Sequence, residues 1–358
     1  MNTIDVPKEW HQAAERIKHD TKVCIILGKI DSGKSTLCRY LTQAWTASMI
    51  RVGYVDSDLG QPTIGFPTTV SLKIFDIPPQ DHDYSNPSHF QFVGNTAPDG
   101  FLLQALHAVK IMADKSRQQG AGITLVDTSG FIDGPVARIL KLHKIEMLRP
   151  QWIVALQAKD EMEHLLKGYE KMGWQVIRLA CSKHVVTRSQ AERQRYRSEK
   201  YKSYFRHARI TNCSIHKVVF PSCILGTGQR MAPPELPKET GMHAMNPPYM
   251  EKCGNELLII ADIAGSSIPV YELKNSFDVT TIVLIERPTL KDLLVGLNDE
   301  NNFTIGLGII ADMNPFTDKL TLFTPVQDTH KVTTIRLGTM KVGLDGKEYG
   351  KTRVIQHW

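Results

Sequence analysis

Short apolar runs alternate with helix-period segments through the first half of the chain. Apolar, β-rich runs occur at 23–27 (Val-Cys-Ile-Ile-Leu), 51–55, 122–126, 152–156 and 174–180. Between them, apolar residues recur at helical spacing over 34–48, 99–119, 135–147 and 160–172, and residues 8–19 form a short amphipathic segment ahead of the first run. Short apolar runs bounded by polar residues read as strands and the longer periodic stretches as helices. The pattern therefore predicts an α/β domain, a mainly parallel sheet with helices on both faces. Ligands in such sheets bind beyond the carboxyl ends of the strands.

After Phe220 the pattern changes. Residues 221–254 hold six prolines and four glycines with little periodicity and read as an extended connection. From Glu256 the runs are short and alternating, at 257–262, 280–285, 304–310, 319–325 and 331–337, which predicts a small all-β domain, a sandwich or barrel. The expected organisation is an N-terminal helix over 1–20, an α/β domain over 21–220 with a lid at about 183–210, a connection over 221–255 and an all-β domain over 256–358. A length of 358 residues suits two domains.

Composition narrows the class. Hydrophobic residues make up 42%, no apolar run approaches the length of a membrane span, and residues 1–20 are polar and charged, so a cytoplasmic protein is expected, or a nuclear one if the source is eukaryotic. Six cysteines without a C-x-x-C pair argue against a disulfide framework, and thirteen histidines without paired spacing argue against a transition-metal site. The net charge of +6 is unevenly spread: 183–217 carries ten Lys/Arg against two acids, a local balance of +8. Such a segment is either a solvated helix face or the electrostatic footprint for a polyanion.

The chemistry lies at the strand ends. Residues 28–35 read G-K-I-D-S-G-K-S, after a strand and before a helix. This is a P-loop: backbone N–H groups cradle phosphate oxygens, the lysine reaches the β/γ-phosphates, and the hydroxyl holds Mg²⁺. Asp31, Ser32, Gly33, Lys34, Ser35 and Thr36 are the candidate nucleotide-binding residues, with ATP and Mg²⁺ as cofactors. The second strand ends Asp56-Ser57-Asp58-Leu59-Gly60-Gln61, and Asp58 is the outer of two carboxylates able to orient a metal or take a proton. Asp127 ends the third strand in the Walker B position, so Ser35, Asp58 and Asp127 are the candidate metal ligands. Phe131 follows at a loop tip, placed either for base stacking or for packing.

Thr96 and Asp99 have the spacing of a capping box for the helix 99–119, and Thr96 reads either as a cap or as a substrate-phosphate ligand. Ser189 and Glu192 form another such box, which puts Arg188 just before the cap and Arg193 at the fourth helical position. Two cations there converge at the positive end of a helix dipole, so an anion is expected between them, as in a lid that neutralises a transferring phosphoryl group.

Together these segments resemble the polynucleotide 5′-hydroxyl kinase family of P-loop RNA-processing kinases. The resemblance rests on Asp31 inside the P-loop, D-x-D-x-G-Q at 56–61, the clasp at Gly94 to Pro98 and the lid R-S-x-x-x-R at 188–193, with a weaker echo around 307–310 and 324–326. Residues 1–20 alone precede the P-loop strand, which is similar to the compact archaeal or bacterial form. The resemblance implies that Lys34 and Ser35 bind ATP phosphates and Mg²⁺ and that Asp58 activates a 5′-hydroxyl. It further implies that Gln61 and Thr96 hold the nucleic acid and that Arg188 and Arg193 clamp the transferred phosphate. Lys29, Ala97 and Phe131 depart from its usual residues. Lys34, Asp58, Arg188 and Arg193 are thus the expected catalytic set, and RNA or DNA with a 5′-hydroxyl end the expected partner. The rival class is an ATP-binding scaffold of an RNA-processing complex, which needs neither Asp58 nor the two arginines.

Overall fold

The strand β1 (Val23–Gly28) is buried along its whole length, and its side chains alternate between two cores. Val23, Ile25 and Leu27 point into one; Cys24 and Ile26 point into the other. A continuous apolar run is what a central parallel strand covered on both faces requires. The computed structural model describes residues 6–19, 21–182, 187–232, 248–262 and 269–357. These divide into two compact units at Arg197/Ser198, inside one helix.

In the first unit, α1 (Lys8–Ile17) and α2 (Lys34–Ala47) flank β1, and β2 (Val52–Ser57), β3 (Thr69–Phe75) and β4 (His89–Phe92) follow. Then come α3 (Leu102–Gln118), β5 (Ile123–Thr128), α4 (Pro135–Leu148), β6 (Trp152–Gln157), α5 (Glu163–Lys171), β7 (Gln175–Ala180) and α6 (Gln190–Tyr204). The sheet order is β4-β3-β2-β5-β1-β6-β7, parallel from β2 to β7. Helices α1 and α2 cover one face, and α3, α4 and α5 the other. β3 and β4 stand outside the predicted alternation. They add an antiparallel edge beside β2.

The helix expected over 99–119 begins only at Leu102. Gly100 takes a left-handed φ of +75° and Phe101 N–H closes a turn onto Pro98 O at 2.8 Å, so the chain is not helical at 99–101. Thr96 is consequently not the N-cap of α3, and that capping box does not form. The box at Ser189 and Glu192 does form: Ser189 N–H donates to Glu192 Oε2 at 2.7 Å and Glu192 N–H to Ser189 Oγ at 3.2 Å. Of the expected lid, residues 183–186, including Lys183, lie outside the described residues.

The second unit begins within α6 and adds β8 (Arg209–Cys213), β9 (Gln229–Met231), β10 (Tyr249–Cys253), β11 (Glu256–Ala261), α7 (Val270–Phe277) and β12 (Thr281–Glu286). It continues through α8 (Arg287–Leu290), β13 (Leu293–Asn298), β14 (Thr304–Asn314), β15 (Lys319–Thr324), β16 (Thr334–Val342), β17 (Glu348–Lys351) and β18 (Ile355–His357). An antiparallel sheet, β17-β16-β13-β14-β15-β8, and a second one, β18-β12-β11-β10-β9, share the core formed by Leu258, Ile260, Val283, Val295, Ile310 and Leu322. The unit is β-dominated, as the alternation predicts. β11 and β12 nevertheless pair in parallel, with α7 packed through Leu273 and Phe277 on Leu257 and Ile259. Residues 198–220, expected with the α/β domain, belong here because β8 pairs with β15. The expected connection likewise contributes β9 and β10. Among the described residues no helix is long and apolar enough to cross a membrane.

Candidate active site

The site is built at the carboxyl ends of β1, β2 and β5. Between β1 and α2 the loop turns through Asp31 (φ +54°) and Gly33 (φ +91°), both left-handed, which aims the first N–H groups of α2 inward. Gly130, after β5, supports the loop from the side. A Cβ there would lie 2.3 Å from Ile30 N, so the P-loop tip and the β5 loop touch backbone to backbone.

Lys34 is buried, and its ammonium donates to Lys29 O at 2.5 Å, folded back on its own loop. Ser35 Oγ donates to Asp127 Oδ2 at 2.7 Å, and Tyr54 OH donates to the same oxygen at 2.9 Å. Asp127 Oδ1 is buried without a partner. Burial pushes the Asp127 carboxyl up, while Lys34, Ser35 and Tyr54 pull it down; the net direction is upward. A hydroxyl and a carboxylate with an unfilled oxygen suit a hard divalent cation, so Ser35 and Asp127 fit Mg²⁺.

Asp56 and Asp58 have separated tasks. Asp56 pairs in register with Asp127 and is fully buried, accepting N–H groups from Asp58 (3.0 Å), Thr63 (2.6 Å) and Ile64 (3.0 Å). It pins the loop after β2; burial first, then Asp127, pushes its carboxyl well up. Asp58 is half-buried, with Oδ1 held by the Gly60 and Gln61 N–H groups, each at 2.9 Å. A Cβ on Gly60 would lie 3.1 Å from Thr96 O, so the Asp58 loop rests on the Gly94–Pro98 loop. Phe131 is half-buried beside Gly130.

Arg188 and Arg193, from the expected lid, reach the loops after β1 and β2. Arg193 Nη2 lies 2.7 Å from Asp31 Oδ2, and the Arg188 backbone N–H donates to that oxygen at 3.3 Å. The Arg188 side chain instead reaches Gln61 Oε1 at 3.3 Å and lies over the Tyr196 ring at 5.5 Å. Tyr196 OH in turn donates to Pro62 O at 2.6 Å. In this structure the Arg193 guanidinium meets the P-loop's own Asp31 while the Arg188 guanidinium turns to Gln61, so the two side chains do not share one anion. Thr36 lies half-buried in the first turn of α2.

Ser32 Oγ, Gln61 Nε2, Asn95 Oδ1, Asp127 Oδ1 and Arg193 Nε are all buried without a hydrogen-bond partner. Buried polar groups are normally paired, and five open ones on the loops, strand end and helix of one site call for a polar ligand with many contacts. The family described as mRNA cleavage and polyadenylation factor CLP1 P-loop matches residues 28–207, the segment carrying all of these groups. The chain belongs to the CLP1 P-loop family.

Two relatives extend the match to nearly the whole chain. A polyribonucleotide 5′-hydroxyl-kinase of Methanocaldococcus jannaschii is 31% identical over 353 residues, 97% of this chain and 95% of the relative. One of Pyrococcus abyssi is 30% identical over 352 residues, 98% and 96% of the two chains. Among solved structures, one from a wild-type Clp1p–Pcf11p complex has the same fold, with a TM-score of 0.60 at 12% identity over 93% of this chain and 78% of that one.

In this CLP1-family site, three residues that motif reading passes over stand out: Asn95, Lys141 and Lys144, each buried. For the lysines a signal exists in the sequence. Both fall on the stripe of Ala137, Leu140, Ile145 and Leu148 that α4 turns inward, where a lysine has no ordinary place.

Proposed function

We propose that this protein is an ATP-dependent polynucleotide 5′-hydroxyl kinase, moving the γ-phosphate of ATP to the 5′-hydroxyl of RNA, with DNA as a further acceptor. One observation carries the reading: Asp31 of the P-loop holds Arg193 by its guanidinium and Arg188 by its backbone N–H, and the Arg188 side chain reaches Gln61, whose N–H is held by the Asp58 carboxylate. A scaffold that only holds nucleotide needs none of them. Relatives named as polyribonucleotide 5′-hydroxyl-kinases over nearly full length support it.

In this reading Lys34 leaves Lys29 O for the β/γ-phosphates, and the α2 N-terminus and the loop N–H groups hold the remaining oxygens. Ser35 and Asp127, joined to each other, would hold Mg²⁺ with Asp58 as a further ligand, and the ion would neutralise charge on the β- and γ-phosphates. Asp58 takes the proton as the 5′-oxygen bonds to the γ-phosphorus in line and the bond to the bridging oxygen of ADP breaks. Arg188 and Arg193 neutralise the charge that develops on the transferring group. Gln61, Asn95 and Thr96 orient the acceptor, and Phe131 stacks on a terminal base.

The test is incubation with γ-labelled ATP, Mg²⁺ and 5′-hydroxyl RNA or DNA oligonucleotides, with Lys34→Ala and Arg193→Ala as controls. Label on the 5′ end in the wild type and its loss in both variants is the expected result. ATP binding without label on any 5′-hydroxyl polymer would leave the scaffold reading.

A further inference from the structure

Two lysines under the site are unexplained by the fold. Lys141 and Lys144 are 0% and 2% exposed, one turn apart on the inward face of α4. Lys144 Nζ donates to Ser57 Oγ at 3.0 Å, and Ser57 Oγ donates to Asp127 O at 2.8 Å, so one ammonium joins the end of β2 to the end of β5. Lys141 Nζ donates to Ser129 O at 2.6 Å, on the loop that continues to Gly130 and its contact with the P-loop. Neither ammonium makes a direct ion pair among the described residues.

We propose that Lys144 is a positioning residue for phosphoryl transfer, a buried cation that ties the ends of β2 and β5 and balances the carboxylates Asp58 and Asp127, while Lys141 pins the loop after Asp127. The proposal rests on the kinase reading above.

Stability gives no reason for a lysine here. A buried ammonium loses its hydration, and replacing buried charge by an apolar side chain of similar volume is often neutral or stabilising. Burial pushes Lys144 down, to about 8, against the opposing pull of Asp58, Asp127 and Asp56. Lys141 is pushed well below the usual lysine range by burial, then by Lys144 and Lys34. Its visible part is the hydrogen bond to Ser129 O. A fixed positive charge behind the carboxylates has two effects. It relieves their mutual repulsion before the metal arrives, and it weakens their hold on the metal, which must exchange with each nucleotide.

The experiment compares the full chain with Lys144→Met, Lys144→Gln and Ser57→Ala. Three quantities are read: thermal unfolding, the Mg²⁺ concentration that half-saturates binding of a fluorescent ATP analogue, and steady-state transfer to a 5′-hydroxyl RNA. For Lys144→Met the expected pattern is an equal or higher Tm, half-saturation at about fivefold less Mg²⁺, and a kcat about 10- to 100-fold lower with KM for ATP little changed. Lys144→Gln, which keeps a donor for Ser57 without the charge, should show the same Mg²⁺ shift. Ser57→Ala, which keeps the charge and removes the tie, should lower kcat without that shift.

Damage to the fold would weaken Mg²⁺ and lower Tm together, so tighter metal with slower turnover is a signature that damage does not produce. The proposal is overturned if Lys144→Met leaves Mg²⁺ dependence and kcat within about twofold, or if its activity loss follows a fall in Tm. Should Lys144→Met fail to fold, Lys144→Gln and Ser57→Ala decide by the same criteria. Wild-type transfer with no Mg²⁺ shift in the variants sinks this proposal alone. A Mg²⁺ shift with no wild-type transfer sinks the kinase reading and keeps the charge balance.

Discussion

Asp31 and Arg193, 162 positions apart, form an ion pair of 2.7 Å across the mouth of the P-loop. The same carboxylate oxygen accepts the Arg188 N–H at 3.3 Å, so a loop residue holds the segment that leads into α6. Aspartate tolerates the left-handed backbone found there, φ +54°, better than most residues, which lets one side chain serve the turn and the lid together. Asp31→Asn leaves the turn but removes the charge. Amide exchange across 187–196 in nucleotide-free protein is expected to speed up, and an unchanged exchange rate would mean that the pair does not hold the lid. Arg193→Ala should lower kcat by about 10³-fold, the scale of arginines that neutralise a transferring phosphoryl group, with ATP affinity nearly unchanged.

Gly130→Ala tests the backbone contact beside the P-loop. A methyl there would sit 2.3 Å from Ile30 N and 2.4 Å from Ile30 Cα, neither of which can move without shifting the loop. ATP should bind more weakly by tenfold or so, about 1.4 kcal/mol, while the Tm changes little. Calorimetric titration with ATP measures it, and wild-type affinity in the variant would refute the contact's role.

Tyr54→Phe removes one of the two donors to Asp127 Oδ2 inside a fully buried setting. The expected cost is about 1 kcal/mol of stability, read by urea unfolding. Asp127→Asn should keep the fold and abolish the Mg²⁺ dependence of nucleotide binding.

A pH effect is expected away from the site. Arg178, on β7, donates to Glu163 at 2.7 and 2.9 Å and also to Glu170. Hydrogen bonds from Arg178, then from Gln157, hold the Glu163 carboxyl down to about 2, against an ordinary 4.5. A carboxyl depressed on folding stabilises above its unfolded value, and that contribution is lost as pH falls toward the folded one. The Tm difference between the wild type and Arg178→Met should therefore be present at neutral pH and shrink between 4.5 and about 2. A difference that persists at pH 2 would contradict this account.

Local chemistry made much of the protein legible in its sequence. The run at 23–27 and the glycine loop after it specify a buried strand, a turn and a helix N-terminus without help from the rest of the chain. Alternation likewise predicts a β-dominated second unit, and the spacing of Ser189 and Glu192 specifies a capping box that forms. Where a second local signal competes, the spacing misleads. Thr96 and Asp99 have the same pattern, but Gly100 breaks the backbone before α3 can begin.

Relations between distant segments had no such local trace. That Asp31 meets Arg193, that Asp56 turns inward while Asp58 stays at the rim, and that Ser57 joins Lys144 to Asp127 follow from the parallel register of β2 with β5 and the docking of α4 beneath them. Which chemical groups the site contains can be read along the chain, because propensity, glycine conformation and capping act over a few residues. The tertiary structure decided which group faces which, because pairing and burial join residues far apart in the chain.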